Sequence, residues 1–372
     1  MDRLRVGVIG CGTVAQIMHL PYLRELSDRY EIAALCDLSP GLLESLAGYY
    51  GVAQRYTDYR EMLAADLDAV LVLSIGSHAP QALAALRAGK HVLVEKPMCF
   101  TLREADAMIA AAEASGRTLM VAYMKRYDPG YRYAQAALSN FGELRYIQIN
   151  TLHPSEPPYH NIHRLVRPND IPPEVIGRLT AEQNQLIVEA IGAVPETLQF
   201  IYTNVILGSL VHDVNALRGL VGEPEAVAFT DIWPSGENAP CITTILRYSD
   251  RLRVLYTWAY LADLRNYFEE IALMSSAGRL RIQFPSPYLK HFPTPVVVEH
   301  MADGAAVEKR VTASYAEAFK EELIHFHECV TQGKKPITDA RDARHDIEIL
   351  QQVVAAFNPP GLDGEARGLK RR

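Results

Sequence analysis

The architecture of this chain follows from Leu4-Arg5-Val6-Gly7-Val8-Ile9-Gly10-Cys11-Gly12-Thr13-Val14-Ala15. Its first six residues are short and β-branched, the composition of a strand buried in a parallel sheet. The glycines that follow have separate physical tasks. Gly10 permits a tight turn, Gly12 lets the backbone approach a ligand, and Ala15 is the small residue at which a helix packs on the strand. A helix starting near Thr13 would point its first amides at an anion. Gly10, Cys11, Gly12, Thr13 and Val14 are thus expected to cradle a dinucleotide pyrophosphate. Pro21 is expected to kink or end the helix.

The pattern continues outward from that turn. Glu31 to Cys36 reads as a second strand ending in Asp37, an acid about 20 residues past the glycines that can accept hydrogen bonds from an adenosine ribose. A 2′-phosphate would be repelled there and Leu38 offers no arginine, so NAD is favoured over NADP. Ala69 to Leu73 is the next strand, and its following loop brings Ser74 and His78 to the cofactor side. A helix from Ala79 to Ala88 stops at Gly89, and Lys90 to Val94 runs into Glu95-Lys96-Pro97. A lysine at a strand's carboxyl end in such a sheet lies where open α/β sheets bind ligands. Thr101-Leu102-Arg103-Glu104 reads as a capping box opening another helix, and Leu119 to Tyr123 closes a Rossmann domain over 1–125.

Composition bounds the rest. The 372 residues suit two domains, and an apolar fraction of 49% supplies ample core. A net charge of -7 with mixed signs offers no basic face for a phosphate backbone, so nucleic acid is not an expected partner. The five scattered cysteines fit reduced thiols in a cytoplasm, and neither a signal peptide nor a membrane span is expected. The end of the chain, 359–372, reads as a solvated tail.

The glycine turn, Asp37, the run Ala84 to Pro97 and Arg126-Tyr127-Asp128-Pro129 together resemble the Gfo/Idh/MocA oxidoreductases, a group that includes glucose-fructose oxidoreductase and inositol dehydrogenase. The likeness resumes at Gly222-Glu223-Pro224 and from Tyr315 to Val354. It implies an α/β Rossmann domain followed by an α+β domain, 126–358, built on a large, mainly antiparallel open sheet that covers the nicotinamide on one face and makes a homodimer or homotetramer contact on the other. Seven segments between Leu144 and Met301 have strand composition, in agreement. Two amphipathic helices, Tyr315 to Gln332 and Asp339 to Phe357, follow.

The resemblance also implies catalytic groups: the Glu-Lys-Pro lysine, Lys96, and a histidine that falls on His212. The family's aspartate, four residues before that histidine, falls on Gly208, which can neither accept a proton nor orient an imidazole. Asp213 is adjacent, but consecutive helical residues point about 100 degrees apart, so it does not simply replace the lost acid. The chemistry asked for is hydride transfer from a carbinol carbon with loss of the hydroxyl proton. Lys96, if burial and a second cation depress its amine, could take that proton, and His212 has a suitable intrinsic pKa. Glu95 and Lys96 are expected beside the cofactor. Lys96, Tyr123, Arg126, His153, His212 and Asp213 are expected beside a carbohydrate-like substrate.

Residues 153–203 read as an insertion, a lid or specificity loop. His153, His160 and His163 in a Pro-rich loop are expected to contact substrate or solvent rather than a metal. Trp233, Trp258 and the many tyrosines read as sheet packing. Three functions stay open: an NAD-dependent sugar or polyol dehydrogenase, a redox-neutral sugar-modifying enzyme using NAD, and a non-catalytic NAD-sensing regulator.

Overall fold

A computed structural model describes residues 3–139, 141–236 and 239–357; the expected tail lies outside them. The described residues group into two compact units. One comprises the residues up to Met124, Asn161–Val194 and Phe319–Glu348, and the other Lys125–His160, Pro195–Ala318 and the residues from Ile349.

In the first unit six strands form a parallel sheet: β1 (Leu4–Ile9), β2 (Tyr30–Cys36), β3 (Gln54–Tyr56), β4 (Ala69–Val72), β5 (His91–Glu95) and β6 (Leu119–Ala122). Their spatial order is β3-β2-β1-β4-β5-β6, so the order reverses at β1 and a crevice opens outside the carboxyl ends of β1 and β4. Val6, Val8, Val70, Leu71, Val92 and Leu93 are fully buried, as strands covered on both faces require.

The capping box forms as expected, the Thr101 side chain accepting from the Glu104 amide and the Glu104 side chain from the Thr101 amide. Of the two outcomes expected at Pro21, an end to the helix does not occur. Pro21 lies within the helix Leu20–Glu25 instead of ending the helical path, and the preceding residues, Ala15–His19, form π-helical turns. Wider turns before the proline accommodate its missing amide and its ring.

The second unit carries eight strands: β7 (Leu144–His153), β8 (Ala226–Gly236), β9 (Ala239–Arg247), β10 (Arg253–Tyr260), β11 (Phe268–Ser275), β12 (Gly278–Phe284), β13 (Pro295–Ala302) and β14 (Ala305–Thr312). They follow the order β14-β13-β12-β11-β7-β10-β9-β8, antiparallel except for β7 with β10. Ile149 pairs with Ile271, which pairs with Ile282, and all three are buried on one face. Phe229, Trp233, Phe268 and Met301 project from the other face and are exposed.

Candidate active site

In the first unit the site is built where strands end. Gly10 has φ of 87°, and a Cβ there would come within 2.5 Å of the Ser74 amide nitrogen, so the turn after β1 closes against the loop after β4 only with glycine. Gly12 differs: a Cβ on it would meet nothing within 4 Å. Space therefore lies beside the turn. The Cys11 amide donates to Asp37 Oδ2 at 2.7 Å and the Ser39 amide to Oδ1 at 3.0 Å, so the acid after β2 fixes the glycine turn. Burial first, then the Asp37 and Cys36 charges, push the Cys11 thiol far up, so it acts as core. Thr13 and Val14 start the helix, half-buried. The buried Ser74 hydroxyl has no hydrogen-bond partner among the described residues. Open space at Gly12, that orphaned hydroxyl and the amides of the turn suit a dinucleotide.

Lys96 follows β5, half-buried. Its amide donates to Glu95 Oε2 at 3.0 Å, while Glu95 Oε1 lies 2.7 Å from His19 Nε2. Burial works to raise the Glu95 carboxyl, but the His19 hydrogen bond and the charges of His19, Lys96 and His78 outweigh it and hold the group below its usual range. His78 ties two loops, Nδ1 being 2.7 Å from the Pro97 carbonyl and Nε2 2.6 Å from that of Ser74. Two carbonyls favour a proton on each nitrogen, yet burial prevails and lowers the ring's pKa. Behind these groups is fully buried Glu322, whose carboxyl has no hydrogen-bond partner among the described residues. Burial, then the Glu95 charge, push it well above the carboxylate range. The two carboxyls are thus shifted in opposite directions. Tyr123 is buried just after β6.

Residues 161–194, part of the stretch that reads as an insertion, cluster with this unit. Gln16 exchanges two hydrogen bonds with the Val166 backbone, at 2.9 and 3.1 Å. Arg167 donates to Thr13 Oγ1 at 3.4 Å. Asp170 accepts from the Ser39 hydroxyl at 2.5 Å and the Gly41 amide at 2.7 Å. Farther on, Glu189 accepts a two-pronged contact from Arg103, both bonds 2.7 Å.

The second unit assembles a different centre. Asp213, on the helix Val211–Val221, is buried and accepts from Lys125 Nζ at 2.7 Å, Tyr256 at 2.6 Å and Thr151 at 2.8 Å. Lys125 also pairs with Glu269, which accepts from Tyr267 at 2.5 Å. Burial lowers the Lys125 amine against the opposing pull of Asp213. It likewise drives the Tyr256 and Tyr267 hydroxyls well above their usual range. Asp213, expected beside the substrate, is thus engaged by three donors inside its unit. Arg126 donates to the Asn215 carbonyl at 3.1 Å and lies against Gly219, where a Cβ would come within 2.4 Å of the guanidinium. It braces the same helix.

His212 is half-buried, one residue from Asp213 and turned away from it. The residues before it, Ile201–Leu210, wind as π-helix, so the α-helical four-residue stacking of Gly208 on His212 does not hold unchanged. A Cβ on Gly208 would meet only the Thr203 carbonyl, at 3.5 Å. Ser209, three residues before His212, accepts from the Trp258 indole at 2.9 Å. The Trp258 ring lies 5.8 Å from that of His153, which also stacks on Tyr260 at 6.3 Å and meets Tyr267 edge-on at 5.6 Å. His153, Trp258 and Ser209 thus form one continuous set, its last member three residues before His212. Sequence reading missed Ser209 and took Trp258 as packing. No local pattern marks the role of Trp258, whose place on β10 opposite Thr151 of β7 comes from strand pairing. His160 meets Tyr288 edge-on at 4.3 Å, and among the described residues no group of three or more His, Cys, Asp or Glu could hold a metal ion. No described helix is long and apolar enough to cross a membrane.

Residues 4–123 match the model of the GFO_IDH_MocA family, described as an oxidoreductase family with an NAD-binding Rossmann fold. Inositol 2-dehydrogenase 3 of Saccharopolyspora erythraea is 39% identical over 131 residues, which are 35% of this chain and 38% of that protein. The match therefore spans about two fifths of the relative's length. Over nearly the whole chain the fold is similar to aldose-aldose oxidoreductase from Caulobacter crescentus (TM-score 0.70, 20% identity, 95% of this chain and 97% of that one). It is also similar to a 3-ketoreductase from Actinomadura kijaniata solved with NADP (TM-score 0.69, 21% identity, 95% and 98%). With the glycine turn, Asp37 and Lys96 ranged along one sheet, residues 4–123 carry the NAD-binding Rossmann fold of the oxidoreductase family whose model they match.

Proposed function

We propose that the protein is an NAD-dependent oxidoreductase that moves a hydride between nicotinamide and a carbinol carbon of a sugar, polyol or related cyclic alcohol. The observation that carries this reading is the placement of the glycine turn, Asp37 and Lys96 at the carboxyl ends of β1, β2 and β5 of one parallel sheet. When bound, the dinucleotide supplies the hydride acceptor or donor. The amides of Gly10 to Val14 and the Ser74 hydroxyl hold its phosphates and Asp37 its adenosine ribose. Asp37 also favours NAD over NADP.

Lys96 handles the hydroxyl proton. Glu95, anchored by His19, is an anion that fixes the Lys96 backbone and so aims its side chain. His212 is the second acid-base group. The aromatic wall of His153 and Trp258 supplies an apolar face and polar edges for a polyhydroxylated ring. The relatives named as an inositol dehydrogenase and an aldose-aldose oxidoreductase support this substrate class. The protein works in the cytoplasm as a homodimer or homotetramer that covers the exposed face carrying Phe229, Trp233, Phe268 and Met301.

Gly208 favours a second reading. With no side chain where the family resemblance implies an acid, proton handling differs, and a redox-neutral cycle in which the hydride returns to the sugar becomes the alternative. Absorbance at the NADH band, with parallel product assays over polyols, free sugars and glycosides, separates the two. Net NADH with any alcohol supports the dehydrogenase, and product without NADH supports the redox-neutral cycle. Dinucleotide-dependent binding of a protein partner with no turnover would overturn both in favour of a regulator.

A further inference from the structure

The segment Val166 to Asp170 belongs to the first unit and touches the dinucleotide loops at two places with opposite charges. At the glycine turn it brings a cation, Arg167, to Thr13 Oγ1. At the loop after β2 it brings an anion. Asp170 Oδ1 accepts from Ser39 Oγ and Oδ2 from the Gly41 amide. Ser39 is 2% exposed, and its amide is held by Asp37, so the two carboxylates are joined through a single residue. Gly41 allows this approach because a Cβ there would lie 2.9 Å from Asp170 Oδ2.

These contacts bear on the choice between two cofactors that differ by one phosphate. In a dinucleotide fold the acid after the second strand reads the ribose 2′-hydroxyl, and in NADP forms that hydroxyl carries a phosphate met by groups of the neighbouring loop. Here the loop's own donors, the Ser39 hydroxyl and the Gly41 amide, are already committed to a carboxylate. A phosphate, close to doubly charged at neutral pH, would have to displace Asp170 and then lie between it and Asp37. The Ser39 and Gly41 hydrogen bonds also hold the Asp170 carboxyl below its usual range, so it is ionised at neutral pH. The pyrophosphate end is the reverse, since Arg167 adds positive charge where both NAD and NADP carry negative charge. The pattern of charge along the segment matches a dinucleotide with a pyrophosphate and a free 2′-hydroxyl.

We propose that Asp170 is a cofactor-specificity residue which, from outside the β2 loop and together with Asp37, excludes a 2′-phosphate, and that Arg167 of the same segment contributes to pyrophosphate binding. The inference rests on the reading that the first unit binds NAD. Its mechanism is electrostatic: a second fixed anion raises the cost of NADP and leaves NAD untouched.

The experiment is a calorimetric titration of NAD and of NADP into the full-length protein, its Asp170→Asn and Asp170→Ala variants, and Asp170→Asn in an Asp37→Ser background. Asp170→Asn removes the charge and keeps one acceptor oxygen for the Ser39 hydroxyl, giving up the Gly41 bond, and so retains more of the loop's contacts than Asp170→Ala. The ratio of the NADP to the NAD dissociation constant should fall by about tenfold on removal of Asp170, the order expected for one partly screened like charge, and fall again by a similar factor when Asp37 is also neutralised. Arg167→Ala should weaken both dinucleotides alike. An unchanged ratio in both Asp170 variants, with NAD still bound, would overturn the inference alone. A wild-type protein that binds neither dinucleotide would overturn the underlying reading with it.

Discussion

Lys96 and Lys125 mark the difference between the two units. Lys96 stands half-buried just past β5, its backbone clamped by Glu95. Lys125 is buried, held between Asp213 and Glu269, with its ammonium 4.9 Å from the Phe284 ring centre. Both are lysines among carboxylates. The first keeps the exposure that proton exchange with a substrate needs, while the second has both carboxylates committed to it in the interior. Burial and commitment of partners, more than residue type, separate the lysine proposed for the chemistry from the structural one.

The largest effect should come from breaking the structural side. Lys125→Met leaves Asp213 and Glu269 as uncompensated buried charges and should lower stability by about 3–5 kcal/mol in urea unfolding. Loss below about 1 kcal/mol would show that the two acids simply take up protons. Truncating Lys96 should do the reverse. Lys96→Ala should keep dinucleotide binding and stay within about 0.5 kcal/mol of wild type in stability, while turnover falls at least about a hundredfold. Wild-type turnover would remove Lys96 from the chemistry.

The glycine turn offers a smaller contrast within one loop. Gly10→Ala forces a side chain into a left-handed backbone against the Ser74 amide and should cost about 1–3 kcal/mol, whereas Gly12→Ala enters open space and should leave unliganded stability unchanged but weaken NAD. Equal stability losses at both positions would contradict the assignment of that space to a ligand.

The smallest effect concerns Glu322. Its folded-state pKa is raised, so the unfolded chain ionises first and wild-type stability falls as pH rises above the ordinary glutamate range. Glu322→Gln should therefore melt a few degrees higher at pH 8, with the gap closing toward pH 4. A gap that widens toward acid would reverse the sign of this account.

What could be read from sequence follows the same division. The glycine turn, Asp37 and Lys96 each follow a short, largely apolar strand, so local order in the chain is also order in space. The capping box at Thr101 and the strands β11 and β12 were legible for the same reason, each being a short-range pattern. β3, three residues long, and β14, exposed along almost its whole length, carry no alternation to detect. The Lys125 centre joins partners 88 and 144 residues away, and nothing local marks them. Residues 161–194 read as an excursion from the second domain because they leave from its strand β7. Their clustering with the first unit depends on contacts such as Gln16 with Val166, 150 residues apart. Gly208 was legible as a departure, but the π-helical turns around it were not, since that winding depends on packing more than on composition.

The central claim is that a substrate carbon exchanges hydride with the nicotinamide. It is tested most directly by incubating the protein with NAD and carbon-deuterated myo-inositol, glucose and a glucoside in turn, then weighing the recovered cofactor by mass spectrometry. One deuterium carried into the reduced nicotinamide ring, at least in a single turnover and absent from Lys96→Ala, is the expected result. Substrate consumed with no deuterium on the cofactor would contradict it.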